Sequence, residues 1–113
     1  VSVGELERAF SESLQTLKLL DVRSTLYIDP DVSMLSGKAA AAVFDFYETA
    51  IETDLESLKS IQVSLADVGY LRLSLNVQCE ANLSALVDKS STQYEAEDGY
   101  QHIVFCPEGG AAK

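Results

Sequence analysis

Five acidic side chains crowd one segment of this 113-residue chain: Asp45, Glu48, Glu52, Asp54 and Glu56. Glu48, Glu52 and Glu56 recur at a spacing of four, which on a helix stacks them on a single face. Clustered carboxylate oxygens are what hard cations such as Mg²⁺ and Ca²⁺ bind. The plainer reading is a solvated acidic face, and that face carries a cost. Like charges at i, i+4 destabilise a helix by roughly 0.2–0.5 kcal/mol per pair. His102, the single histidine, lies between Gln101 and Ile103 in a strand-like run, out of sequence reach of a nucleophile it could activate. It reads as a partly exposed strand residue rather than a general base. Cys79 and Cys106 sit in apolar, strand-like settings with no basic neighbour to lower a thiol pKa. They read as thiols of a reducing compartment, with a disulfide between them as the alternative. Tyr47, Tyr70, Tyr94, Tyr100, Phe44 and Phe46 read as core or strand-face aromatics, any of which can stack on a ligand.

The acidic residues need a helix to align them, and Ser36 to Lys59 supplies the pattern. Apolar residues recur there at Ala40, Val43, Phe44, Tyr47, Ala50, Ile51, Leu55 and Leu58, the stripe of a helix lying on a core. Ser33 or Ser36 can cap it. An earlier helix is expected over about residues 3–19, opened by the capping-box pair Ser2 and Glu5, with Leu6, Phe10, Leu14 and Leu17 inward. Between the helices, Ser24–Ile28 reads as a strand, stopped by Asp29-Pro30-Asp31. After Ser60 the period changes to two. Ile61, Val63 and Leu65 alternate with polar residues, a turn follows at Val68-Gly69, and Leu71, Leu73, Leu75, Val77 and Cys79 alternate again. This predicts a hairpin with one buried face. Residues 81–91 form a connection with one helical turn at Leu83–Val87. A second hairpin pairs Thr92–Glu97 with Tyr100–Cys106 across Asp98-Gly99, and Pro107 ends it. Glu108 to Lys113 reads as a frayed tail.

The order α-β-α-β-β-β-β predicts an α+β fold: a two-layer sandwich with both helices on one face of a mixed, mostly antiparallel sheet. Residues 1–113 are expected to form a single domain, a fragment of a longer chain. Hydrophobic residues make up 47% of the chain, enough for a real core, and the formal net charge is −10. Such a balance argues against nucleic-acid partners and against direct contact with an anionic membrane. It also disfavours an unshielded polyphosphate. No apolar run approaches the length of a membrane span.

The element order and its spacings resemble the ATP-binding domain of sensor histidine kinases, in the histidine-kinase-like ATPase (GHKL) superfamily. The residues that carry the resemblance are Leu19–Val22 with the strand Thr25–Asp29, the helix run Phe46-Tyr47-Glu48-Thr49-Ala50-Ile51-Glu52, the hairpin Ile61–Val77, and the closing Gly99–Pro107. The skeleton is similar over roughly residues 14–108. The resemblance implies a Bergerat-type fold, Mg-ATP as cofactor, a cytoplasmic two-component signalling protein, a homodimeric state, and the rest of the kinase or a regulator as protein partner. In the family an Asn on the long helix coordinates magnesium, and a Glu four residues earlier helps position water or metal. Glu48 stands at the Glu position, but Glu52 stands where the Asn belongs. Leu55 and Glu56 replace a Lys and a His or Tyr. The adenine-reading Asp-x-Gly-x-Gly is replaced by Cys79-Glu80-Ala81-Asn82-Leu83, where Glu80 substitutes for the Asp only with a one-residue register change.

Ala81–Ser91 also lacks the glycines of a phosphate-covering lid, and Lys89 is a poor replacement for them. No helix carries an exposed His beside an acid, so the chain holds no phospho-accepting site of the family's kind. By this reading Glu48, Glu52 and Glu80 are the candidate nucleotide residues, Glu48 and Glu52 the candidate metal residues, and Glu48 the candidate catalytic one. The expected function is an ATP-binding-type kinase domain with nucleotide binding weak or lost. The alternative is a non-catalytic regulatory or protein-interaction module on the same scaffold.

Overall fold

A computed structural model describes residues 3–30, 32, 36–67, 71–80, 82–86 and 92–107. Several expectations fall outside them: the Ser2 cap, Asp31, the alternative cap Ser33, the Val68-Gly69 turn with Tyr70, Ala81, residues 87–91 with Lys89, and the tail from Glu108. The elements run α1 (Val3–Leu19), β1 (Arg23–Ile28), α2 (Gly37–Asp54), β2 (Ser60–Asp67), β3 (Leu71–Gln78), a 3-10 helix (Leu83–Leu86), β4 (Thr92–Glu97) and β5 (Tyr100–Phe105). The five strands make one sheet in the order β1-β2-β3-β5-β4. Among the described residues only β1 and β2 pair in parallel, since α2 carries the chain back between them; the other pairings are antiparallel. The helices pack on one face, giving the α+β two-layer sandwich that the element order predicts.

The buried stripe of α1 is Leu6, Phe10, Leu14 and Leu17. Its C-terminus is closed by the Val22 N–H donating to the Leu17 carbonyl at 3.0 Å, with Asp21 in the left-handed region at φ 65°. That is a Schellman closure without a glycine. The Ser24 hydroxyl then ties β1 to α1 by donating to the Leu14 carbonyl. Helix α2 is capped by Ser36, whose Oγ accepts from the Ala39 N–H at 2.9 Å. Val43, Tyr47 and Ala50 on α2 are fully buried, as are Val63, Leu65, Leu73, Leu75, Val77 and Ile103 on the sheet. Each large apolar side chain so buried contributes about 1.5–3 kcal/mol of transfer free energy.

The chain departs from the expected α2 at its end. Its apolar pattern continues to Leu58, yet the helix stops at Asp54. Lys59 explains the stop. Its N–H donates to the Gln78 carbonyl and its own carbonyl accepts from the Arg23 N–H, so its backbone already bridges β1 and β3. The last turn has no basic residue to oppose the negative end of the helix dipole, which weakens any extension. Leu55 is left partly exposed while Leu58 turns into the core. The strands also stop one residue short of expectation, at Gln78 and Phe105, so neither Cys79 nor Cys106 lies in the sheet; both are half-buried and neither is in a disulfide.

Candidate functional site

Helix α2 carries Asp45, Glu48 and Glu52, while Glu56, expected on the same face, lies in the turn beyond the helix end at Asp54. Asp45, Glu48, Glu52 and Glu56 are all exposed. Between them the Thr49 and Thr53 hydroxyls donate to the carbonyls of Asp45 and Thr49, so these threonines are satisfied within the helix. Glu48 lies on the rim of a groove of about 550 Å³ between α1 and α2. Beneath it the Tyr47 hydroxyl is 2.8 Å from the Ser13 hydroxyl. Burial pushes the Tyr47 pKa above its usual value; the Ser13 bond opposes this and the negative charge of Glu48 adds to it. The rings of Phe10, Phe44 and Tyr47 meet edge-on or tilted, with centroids 5.0–5.6 Å apart.

Glu52 stands one turn beyond Glu48, about 6 Å along the axis. Glu80 joins them only at the far end of the helix. It is exposed in the bend after β3, and its N–H donates to the Ser57 Oγ at 3.0 Å, in the turn that follows α2. Helix geometry therefore aligns Glu48 with Glu52, and the Ser57 contact holds Glu80 beside the helix terminus. No group of three or more His, Cys, Asp or Glu suited to hold a metal occurs among the described residues.

The segment that follows Glu80 packs inward. Leu83 is fully buried, and the 3-10 helix it opens lies against α2. Gln101 anchors this packing. Its Oε1 accepts from the Leu83 N–H and from the Tyr94 hydroxyl, each at 2.8 Å, and its Nε2 donates to the Cys79 Sγ at 3.3 Å. Asn82 caps the same turn by accepting from the Ser84 N–H. On the other side, Phe46 of α2 stacks on Phe105 of β5 with centroids 4.4 Å apart and planes 3° off parallel. Gln101 escaped the sequence reading. The signal was its parity with Ile103, which makes it a polar residue on the inward face of a strand.

The opposite face of the sheet is open. There Thr25, Gln62, Asn76, His102 and Glu95 form one row across all five strands. Two shallow depressions of about 390 and 350 Å³ flank this row, and both are lined by Asn76 and Tyr100. His102 is exposed here, as its strand position predicts, with Glu95 and Asn76 as its cross-strand neighbours. Burial raises the Cys106 thiol pKa and the Arg72 charge partly offsets this, which leaves the thiol a poor nucleophile at neutral pH. No described helix is long and apolar enough to cross a membrane.

No family model matches the chain, and no curated protein matches it in sequence. Among solved structures it is similar to the catalytic domain of the histidine kinase ThkA in two nucleotide-free crystal forms. In one the TM-score is 0.61 at 11% identity, covering 96% of this chain and 93% of that one. In the other it is 0.62 at 12% identity, covering 96% and 94%. At such identity the likeness is one of fold: this chain has the fold of a histidine kinase catalytic domain.

Proposed function

We propose that this chain is an ATP-binding-type domain of the histidine-kinase kind in which nucleotide binding is weak or lost, serving a two-component signalling protein of the cytoplasm. The kinase half of this reading is supported by the shared fold, with Glu48 on the long helix. The observation that carries the second half is the path of the chain after β3. A triphosphate needs free backbone N–H groups or positive charge around it. Here the Glu80 N–H is taken by Ser57 and the Leu83 N–H by Gln101, while the Leu83 side chain fills the space against the core. The side chains offered instead, Glu48, Glu52 and Glu80, are acidic, and they repel phosphate unless a cation stands between. These residues fit Mg-ATP poorly.

Calorimetric titration with Mg-ATP tests the reading. The expected result is no measurable heat, or a dissociation constant in the millimolar range. Micromolar binding accompanied by hydrolysis overturns it. The exposed acidic row of α2, present despite its cost, favours the second reading, a module that binds a protein partner without catalysis.

A further inference from the structure

The groove between α1 and α2 has a composition that the fold does not require. Its floor is Leu17, Phe44 and Ile51, and its open end is formed by Leu20 and Leu55. Leu20 is 57% exposed and Leu55 is 43% exposed, and the adjacent Leu19 is 79% exposed. A soluble surface tolerates scattered leucines, but Leu20 and Leu55 open onto the same apolar trough. The rim carries Glu12 from α1 and Glu48 from α2, and among the described residues no Lys or Arg lines the groove. Glu52 continues the negative charge along the same helix and Glu56 follows in the turn beyond its end, both exposed. From Phe44 to Leu55 the trough runs about 16 Å, the length of about three helical turns.

We infer that this groove docks a basic amphipathic helix of a protein partner, with apolar side chains at i, i+3 or i+4, and i+7 in the trough and Lys or Arg facing the glutamate rim. An apolar floor with charged walls is how helices are bound in grooves, anchors supplying affinity and the rim supplying orientation and on-rate. The same inference accounts for the α2 charge row. A face whose like charges disfavour the isolated helix is relieved when opposite charge arrives. A second copy of this chain is a poor occupant, because its formal net charge of −10 brings more of the same sign. The inference deepens the interaction reading and rests on it alone, so a positive Mg-ATP titration leaves it standing.

The test is a nuclear magnetic resonance titration of the ¹⁵N-labelled chain with two synthetic helical peptides of about 14 residues, long enough to span the trough. They share a leucine stripe and differ only in carrying Lys or Glu on the flanks. Saturable shifts around Leu20, Phe44 and Ile51 with the Lys peptide, and binding at least about tenfold weaker for the Glu peptide, are expected. Leu20→Glu and Leu55→Glu, both at exposed positions, should abolish the shifts while their melting curves match the parent. The double variant Glu12→Lys with Glu48→Lys should reverse the peptide preference. The inference is overturned by equal binding of the two peptides, by shifts confined to the open sheet face, by no binding, or by concentration-dependent groove shifts without peptide, which would assign the groove to self-association.

Discussion

Tyr47 is the largest of the fully buried side chains, and its hydroxyl must find a partner inside the helix layer. Ser13 provides it. Replacing Tyr47 with Phe keeps the ring packing against Phe10 and removes one hydrogen bond, at an expected cost of about 0.5–1.5 kcal/mol at neutral pH. The pH dependence follows from the direction of the shift. A tyrosine whose folded pKa is raised keeps its proton longer folded than unfolded. Its contribution is therefore whole below the usual value of 10.0 and is lost as pH rises through the folded value. The penalty for Tyr47→Phe should then shrink above pH 10.0, as read by urea midpoints of parent and variant; a penalty constant with pH would sink this account. Gln101 is the other demanding residue. Gln101→Leu leaves the Leu83 N–H and the Tyr94 hydroxyl without their acceptor and should cost about 1–3 kcal/mol. Hydrogen exchange at the Leu83 amide should accelerate with it, and an unchanged exchange rate would show that Gln101 does not hold the turn. Neither residue announces its role in sequence, because a buried hydrogen bond joins positions that composition and periodicity treat separately.

At the scale of elements, local rules decided most of the outcome. The alternation of β2 and β3 survives intact as inward Ile61, Val63, Leu65, Leu71, Leu73, Leu75 and Val77. Asp98 and Gly99 take φ 53° and 85°, the left-handed pair that a two-residue hairpin needs. The start of α2 is equally local. Ser36→Ala should cost about 1 kcal/mol through the lost bond to the Ala39 N–H. Ser36→Asp should equal or exceed the parent, since the first turn holds no acid and the helix dipole favours one there. Thermal melts that rank Asp below Ala would show that Ser36 does not act as a cap. The end of α2 obeys a different authority. The apolar period runs past Asp54, but Lys59 is claimed by β1 and β3, and two sheet hydrogen bonds outweigh the modest propensity of one more helical turn.

For the whole molecule, the formal net charge of −10 is the dominant electrostatic fact. Repulsion among so many carboxylates opposes the compact state and is screened by salt. The melting temperature should rise between very low salt and about 0.15 M, where the Debye length falls to about 8 Å. A flat or falling trend in a calorimetric scan would mean that local ion pairing outweighs the overall repulsion. The same charge shapes the ligands this chain can take, disfavouring a bare polyphosphate and favouring a cationic partner on the α1–α2 groove.

The sequence by itself determined the element order, the inward faces of both helices and of the central hairpin, and the type of the last turn. Each of these depends on residues within a few positions of one another, where helix and strand periods and turn chemistry act directly. Only the tertiary structure decided where α2 stops, that Leu83 packs into the core after β3, and that Gln101 ties Leu83, Tyr94 and Cys79 together. It alone set Glu48 on the rim of an apolar groove with Glu80 at the far end of the same helix. These outcomes rest on contacts between distant segments, whose free energy depends on which surfaces meet rather than on any local pattern.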